Sequence, residues 1–290
     1  MSDRPLSRSL IKLGALLAGP ARAHRQDLWP HLAIDRPGGL VTWRGKPLLT
    51  LRRPSDLIPQ DAPLLAVVGS GPSLAAQRIE NLPPRTAILL NGAATLADRI
   101  APLALAIEDE RFVFRHHEML PTLPRDLPWL LSPAALRAIA SVDPSLLTTR
   151  PVALIDNLAK PLNASRRRLD DPALDALLLR GDGAALSRDP DVGVVIVGTV
   201  AFSALQIALA ARPAQIVLVG IDLGNAAAPR FYETAGDTAP SGLVAGLDRS
   251  LAGFALARDH AAASGVALTC ASPVSALLGL GMPRTDLLDA

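Results

Sequence analysis

The sequence holds a single cysteine, Cys270, in 290 residues. One thiol rules out a disulfide framework and any cysteine-based zinc site, and it suits a reducing compartment. Aromatic residues make up only 3% of the chain, too few for the stacking platforms that bind single-stranded nucleic acid. Lysine is almost missing: Lys12, Lys46 and Lys160 stand among 29 basic residues. The net charge is only +2, so the electrostatic footprint of a nucleic-acid binder is lacking and no such partner is expected. No uninterrupted apolar run reaches the roughly 18 residues of a membrane span. What is plentiful is aliphatic material. Hydrophobic residues are 49% of the chain, which excludes general disorder. The length suits one α/β domain of ordinary size with a smaller appendage, and a cytoplasmic location is the expectation.

The N-terminal stretch carries both charge and an apolar face. Arg4, Arg8 and Lys12 precede the short run from Leu13 to Gly19. That run is brief for a secretion signal, and Leu6, Leu10, Leu13, Leu16 and Leu17 recur at helical spacing. Three readings stay open here: an amphipathic surface helix, a basic helix resting peripherally on the anionic inner membrane, and a cleaved signal. Residues 39–52 predict a hairpin turned at Arg44-Gly45-Lys46, and Pro54, Pro59 and Pro63 punctuate a linker. Residues 1–60 therefore form a helix-plus-hairpin appendage, and 61–290 form the main domain.

From Leu64 onward the texture changes. Leu64–Val68, Thr86–Leu90 and Leu103–Ile107 are continuous apolar runs, as expected of buried parallel strands. A short helix is expected from Leu74 to Ile79. Residues 113–190 are rich in proline and read as an irregular insert, with Trp129-Leu130-Leu131 as a strand candidate. Order returns at Val194–Val197. A helix over Phe202–Ala210, a strand over Ile216–Gly220, a helix over Leu251–Ala263 capped by Gly265 and a last strand over Val266–Thr269 complete the reading. Alternating helices and apolar strands predict a doubly wound, Rossmann-like, mostly parallel sheet. Such sheets bind ligands beyond the carboxyl ends of their strands, so the residues there are the functional candidates.

The first strand ends in Gly69-Ser70-Gly71-Pro72-Ser73-Leu74. Two glycines allow a tight turn and close backbone approach, Pro72 suits a first helical turn, and a helix N-terminus favours anions. The loop lacks the third glycine of a dinucleotide fingerprint and the Gly-Lys-Ser/Thr of a P-loop. The second strand ends in Asn91-Gly92 and not in the acidic residue of a nicotinamide dehydrogenase. The third ends in Glu108-Asp109, and Gly198-Thr199-Val200-Ala201 later leads into Val219-Gly220-Ile221-Asp222-Leu223.

Taken together these blocks resemble the bacterial sialyltransferases that use CMP-activated sugars, and their relatives. The relatives include Kdo and nonulosonate transferases and the 6-hydroxymethylpterin pyrophosphokinases. The resemblance covers residues 64–112 and 193–280. It implies transfer of a 2-keto sugar acid, Kdo or sialic-acid-like, from a CMP-sugar donor to a surface-glycan or lipid-linked acceptor, as in lipopolysaccharide assembly, without a metal or other cofactor. By position, Gly69, Ser70, Gly71, Pro72 and Ser73 would lie at the nucleotide phosphate and ribose. Asn91, Gly92, Asp109, Gly198, Thr199, Asp222 and Ser272 would complete the nucleotide site. Tyr232, the only tyrosine, matches a family tyrosine that bonds the departing phosphate.

The departures bear on mechanism. The family places a histidine base after the Gly-Ile-Asp strand, and residues 233–250 hold none. His116 and His117, which follow the third strand, and the carboxylates Glu233, Asp237 and Asp248 are the substitutes considered, while His260 falls inside a helix and reads as structural. Arg111, Arg115 and Arg230 are the cations available to a sugar carboxylate. Two alternatives stay open: pyrophosphoryl transfer from ATP to a pterin alcohol, which would need Mg and carboxylate ligands such as Asp109 and Asp222, and a relative that binds nucleotide or glycan without turnover.

Overall fold

A computed structural model describes residues 8–17, 19, 25–224, 230–231 and 246–289. An N-terminal helix, α1 (Arg8–Leu17), precedes a three-stranded antiparallel sheet of β1 (Leu32–Ile34), β2 (Leu40–Trp43) and β3 (Lys46–Thr50). The β2–β3 turn falls at Arg44-Gly45, both at positive φ of 51° and 76°, the geometry that matches the natural twist of a hairpin. A single turn, α2 (Pro54–Leu57), leads into the main sheet.

That sheet has seven parallel strands: β4 (Leu64–Val68), β5 (Ala87–Leu90), β6 (Ala104–Ile107), β7 (Trp129–Leu131), β8 (Val152–Leu154), β11 (Gln215–Val219) and β12 (Ala267–Cys270). Between them come α3 (Glu110–His116), α4 (Pro133–Val142), the hairpin β9 (Leu178–Gly181) and β10 (Ala184–Ser187), α5 (Val200–Ala210) and α6 (Leu247–Ala263). The spatial order is β12-β11-β4-β5-β6-β7-β8. The chain thus steps outward from β4 to β8, then returns to β4's other side. This is a doubly wound α/β fold with its switch point between β4 and β11.

Both faces of the sheet are covered, which is why its strands are apolar throughout and not alternating. Leu65 and Val67 join the core under α5 and α6, while Ala66 and Val68 join the core under α3 and α4. Helix α5 is mostly apolar and is buried from Ala201 to Leu209, with Ser203 and Gln206 as its polar residues, the signature of a helix enclosed by its domain. No helix among the described residues is long and apolar enough to cross a membrane.

Three details depart from the sequence reading. Residues 113–190 contribute β7, α4 and β8 to the main sheet's layers, so the irregular stretch narrows to the region after β8. The Leu74–Ile79 helix is replaced by two short 3-10 turns, Pro72–Ala76 and Ile79–Asn81. In the Val194–Val197 run Val194, Val195 and Val197 are buried, but it joins no ladder beyond one bridge from Val194 to Asn157. The Gln206 side chain takes a strand's place there, accepting from Val195 N at 3.0 Å and donating to Val195 O at 2.9 Å.

Candidate functional site

The switch point sits where β4 and β11 run out. Gly69 N donates to Val219 O and Gly71 N to Gly220 O, each at 2.8 Å, so the two loops lie against one another. Only glycine fits this approach. A Cβ on Gly69 would stand 2.6 Å from Gly220 O, and one on Gly71 would stand 2.5 Å from Asp222 Oδ2. Gly220 itself has φ +59°, a conformation that side chains resist.

Asp222 ties the loops together. Its buried carboxylate accepts from Ser73 N at 3.0 Å, Ser73 Oγ at 2.6 Å and Ser272 Oγ at 2.5 Å. The sequence reading set Ser73 and Gly71 against a phosphate. In the fold the N–H groups of Gly69, Gly71 and Ser73 are all committed to protein acceptors, and Pro72 has none. Ser70 lies half-buried between them, its carbonyl accepting from Phe231 N at 3.3 Å. The Gly-Ser-Gly-Pro-Ser loop, Asp222 and Ser272 therefore form one braced floor of the crevice.

The neighbouring strand ends carry polar atoms of a different kind. Asn91 follows β5 in the left-handed region at φ 45°, which asparagine tolerates. Its Oδ1 is buried and has no hydrogen-bond partner. Gly92 beside it is buried. Glu108 follows β6, and its Oε1 is likewise buried without a partner. Ser203, fully buried in the first turns of α5, has an orphaned hydroxyl. Burial pushes the Glu108 carboxyl up to about 7; Ser203 pulls the other way, and the Asp109 charge adds to the rise. Ser203 is thus near enough to act on Glu108, although neither atom completes a hydrogen bond of ordinary geometry.

Helix α5 leads into β11, so its N-terminus opens at the same carboxyl edge. Gly198 precedes it at φ +111°, and Thr199 caps it by accepting from Ala201 N at 3.3 Å. Arg249, in the first turn of α6, is anchored through Nε to Val197 O at 3.0 Å. Its guanidinium lies 3.5 Å from where a Gly198 side chain would begin. The sequence reading missed Arg249, Glu108 as a site residue, and Ser203. An acidic residue directly after an apolar strand was the available sign for Glu108, but which face it takes depends on the packing of α5.

Other candidates lie elsewhere. Asp109 caps α3 and pairs with Arg111 at 2.7 Å. His116 stacks on Phe112, and exposed His117 meets its own helix's Phe114 O at 3.2 Å. Both sit at the far end of α3, about 10 Å from the strand end at 1.5 Å per residue. Arg115 is exposed on the same helix, and Asp248 is exposed at the start of α6. His260 is in the last turn of α6, at the opposite edge of the sheet, where burial and Arg188 hold its pKa below the usual histidine value. Arg230 is half-buried beside Phe231. Tyr232, Glu233 and Asp237 lie outside the described residues.

Fold and crevice together define a Rossmann-like, doubly wound α/β protein. No protein-family model, curated protein or solved structure matches the chain.

Proposed function

We propose that the chain is a glycosyltransferase that holds a CMP-linked 2-keto sugar acid in the switch-point crevice and passes the sugar to a hydroxyl of a glycan or lipid-linked acceptor. One observation carries the reading beyond the motifs. Asn91 Oδ1 is buried without a partner at the end of β5, and the neighbouring Glu108 and Ser203, at the end of β6 and in the first turns of α5, meet only each other and without a hydrogen bond of ordinary geometry. Buried polar atoms are almost always hydrogen-bonded in folded proteins, so this grouping supports a polar ligand as the missing partner.

The chemistry divides among these parts. The Gly69–Ser73 loop, Asp222 and Ser272 hold the crevice's shape. The amide of Asn91 offers both donors and an acceptor to a nucleotide's polar edges. Charge that builds on the departing CMP is met by the α5 N-terminus with Thr199, and Arg249 is a cation for the phosphate or the sugar carboxylate. This scheme needs no divalent metal. For the pyrophosphoryl alternative, Asp222 would have to leave its serine partners and Asp109 its arginine before either bound Mg.

Thermal unfolding with CMP, CTP and ATP, each with and without Mg, tests the proposal. CMP should raise the midpoint without metal, by the mass-action stabilisation a native-state ligand gives. A preference for Mg-ATP would overturn it in favour of pyrophosphoryl transfer. No shift with any nucleotide would overturn it in favour of a non-nucleotide ligand.

A further inference from the structure

We infer that Glu108 is the general base of this crevice, the group that takes the proton from the acceptor hydroxyl. The inference rests on the transferase reading above and fills the place left by the absent histidine. Glu108 stands at the carboxyl end of β6, two strands from the switch point. Its main-chain carbonyl is held by Ser132 Oγ at 2.7 Å, so the residue is fixed at the strand end. The side chain is half-buried: Oε1 is sealed in without a hydrogen bond, while part of the residue remains accessible. Ser203 of α5 is beside it, and Asn91 ends the adjacent strand. Among the described residues no cation acts on it. The charge that acts on it is that of Asp109, itself paired with Arg111.

A carboxyl so placed exchanges its proton near neutrality, which suits a general base. In the step it serves, Glu108 accepts the hydroxyl proton as the acceptor oxygen bonds to the anomeric carbon. The bond from that carbon to the phosphate oxygen breaks, and its electron pair leaves with CMP. Ser203 is a positioning residue: it acts through Glu108 by favouring the ionised form.

The test measures CMP affinity calorimetrically from pH 5.5 to 8.5 for the wild type and Glu108→Gln, then CMP release from CMP-sialic acid and CMP-Kdo. The phosphate of CMP and an ionised Glu108 repel each other in one crevice. Wild-type affinity should therefore fall relative to the variant by about tenfold as pH rises through 7, the size of one unit of coupling. Ionisation of CMP itself is common to both proteins and cancels. Release of CMP should drop by about 100-fold or more in the variant. In Ser203→Ala the rising limb of the rate profile should move to higher pH. Superimposable affinity profiles, or an unchanged rate limb in Glu108→Gln, would overturn the assignment while leaving the transferase reading intact. Absence of CMP binding in both proteins would overturn the transferase reading, and this inference with it.

Discussion

Asp222 occupies the place an anion takes in an open glycine-rich loop, and it changes what that loop does. Its carboxylate serves two serines contributed by segments on either side of it in sequence. An asparagine there keeps one acceptor oxygen and turns its N–H₂ either toward the Ser73 amide or toward the two serine hydroxyls. Asp222→Asn should lower unfolding free energy by about 2–4 kcal/mol, from hydrogen bonds to a charged group lost and donors left unpaired. Denaturant unfolding checks this; a loss under about 1 kcal/mol would show that the loops do not depend on the carboxylate. Glu108 gives a prediction of opposite sign. Its pKa is raised in the folded state to about 7, from an ordinary 4.5. Its contribution to stability is then fully present below pH 4.5 and is lost as pH rises through 7. The loss is about 3 kcal/mol by linkage. Glu108→Gln should therefore be more stable than the wild type at pH 8 and close to it at pH 4.5. Parallel stability curves across that window would refute the burial argument. The Gly-Ser-Gly-Pro-Ser motif was legible in the sequence, but its partner was not. Ser73 and Asp222 are 149 residues apart, and only the topology makes them neighbours.

Elements were legible where one periodicity dominated. Every strand of the parallel sheet from β4 to β7, and both β11 and β12, coincides with an apolar run visible in the chain. The hidden ones are β1 and β8, each three residues long, and the β9–β10 hairpin. Its Asp182-Gly183 turn, at φ 43° and 75°, is a hairpin signal that flanking prolines mask. Val194–Val197 misled for a physical reason: a buried apolar segment satisfies its backbone with a ladder or with a side chain, and here Gln206 supplies the second. Helix α1 presents an uncovered apolar face. Leu10, Leu13, Leu16 and Leu17 are all exposed, the last at 80%, and they share one face by helical spacing. Arg4, Arg8 and Lys12 in the same stretch match an anionic lipid surface. The intact protein should sediment with vesicles containing phosphatidylglycerol, and Leu13→Glu with Leu16→Glu should remove most of that binding. Equal sedimentation of both proteins would rule out this face as the contact, and equal binding to neutral vesicles would rule out the charge argument.

At the scale of the molecule, the ends of the chain close the sheet. An exposed strand edge invites pairing with another chain, and here both edges are met by terminal segments. Beyond β8, Arg52 N donates to Val152 O at 2.8 Å; beyond β12, Cys270 N donates to Pro283 O at 2.8 Å and Thr285 N to Cys270 O at 3.0 Å. The N-terminal region goes further than edge cover. Leu32, Ile34 and Val41 belong to the same core as Leu131 and Leu136, while Ile58 belongs to the other. Arg137, almost fully buried and paired with Glu110, donates to Gln26 Oε1 at 3.0 Å and lies 3.8 Å over the Trp29 ring. Arg36 reaches the buried Asp156 at 3.1 Å. Removing residues 1–60 would strip one sheet edge, open both cores and leave Arg137 and Asp156 short of partners, faults that each cost several kcal/mol against a total of about 5–15. The truncated chain should accumulate as aggregate, whereas removal of residues 1–24 should leave a monodisperse protein with one unfolding transition. Two separate transitions in the intact chain, or a soluble and cooperatively folded 61–290 fragment, would show that the N-terminal sheet is an appendage to a self-sufficient domain. A single transition would make it a working part of the layer that packs on α4 and covers the β8 edge.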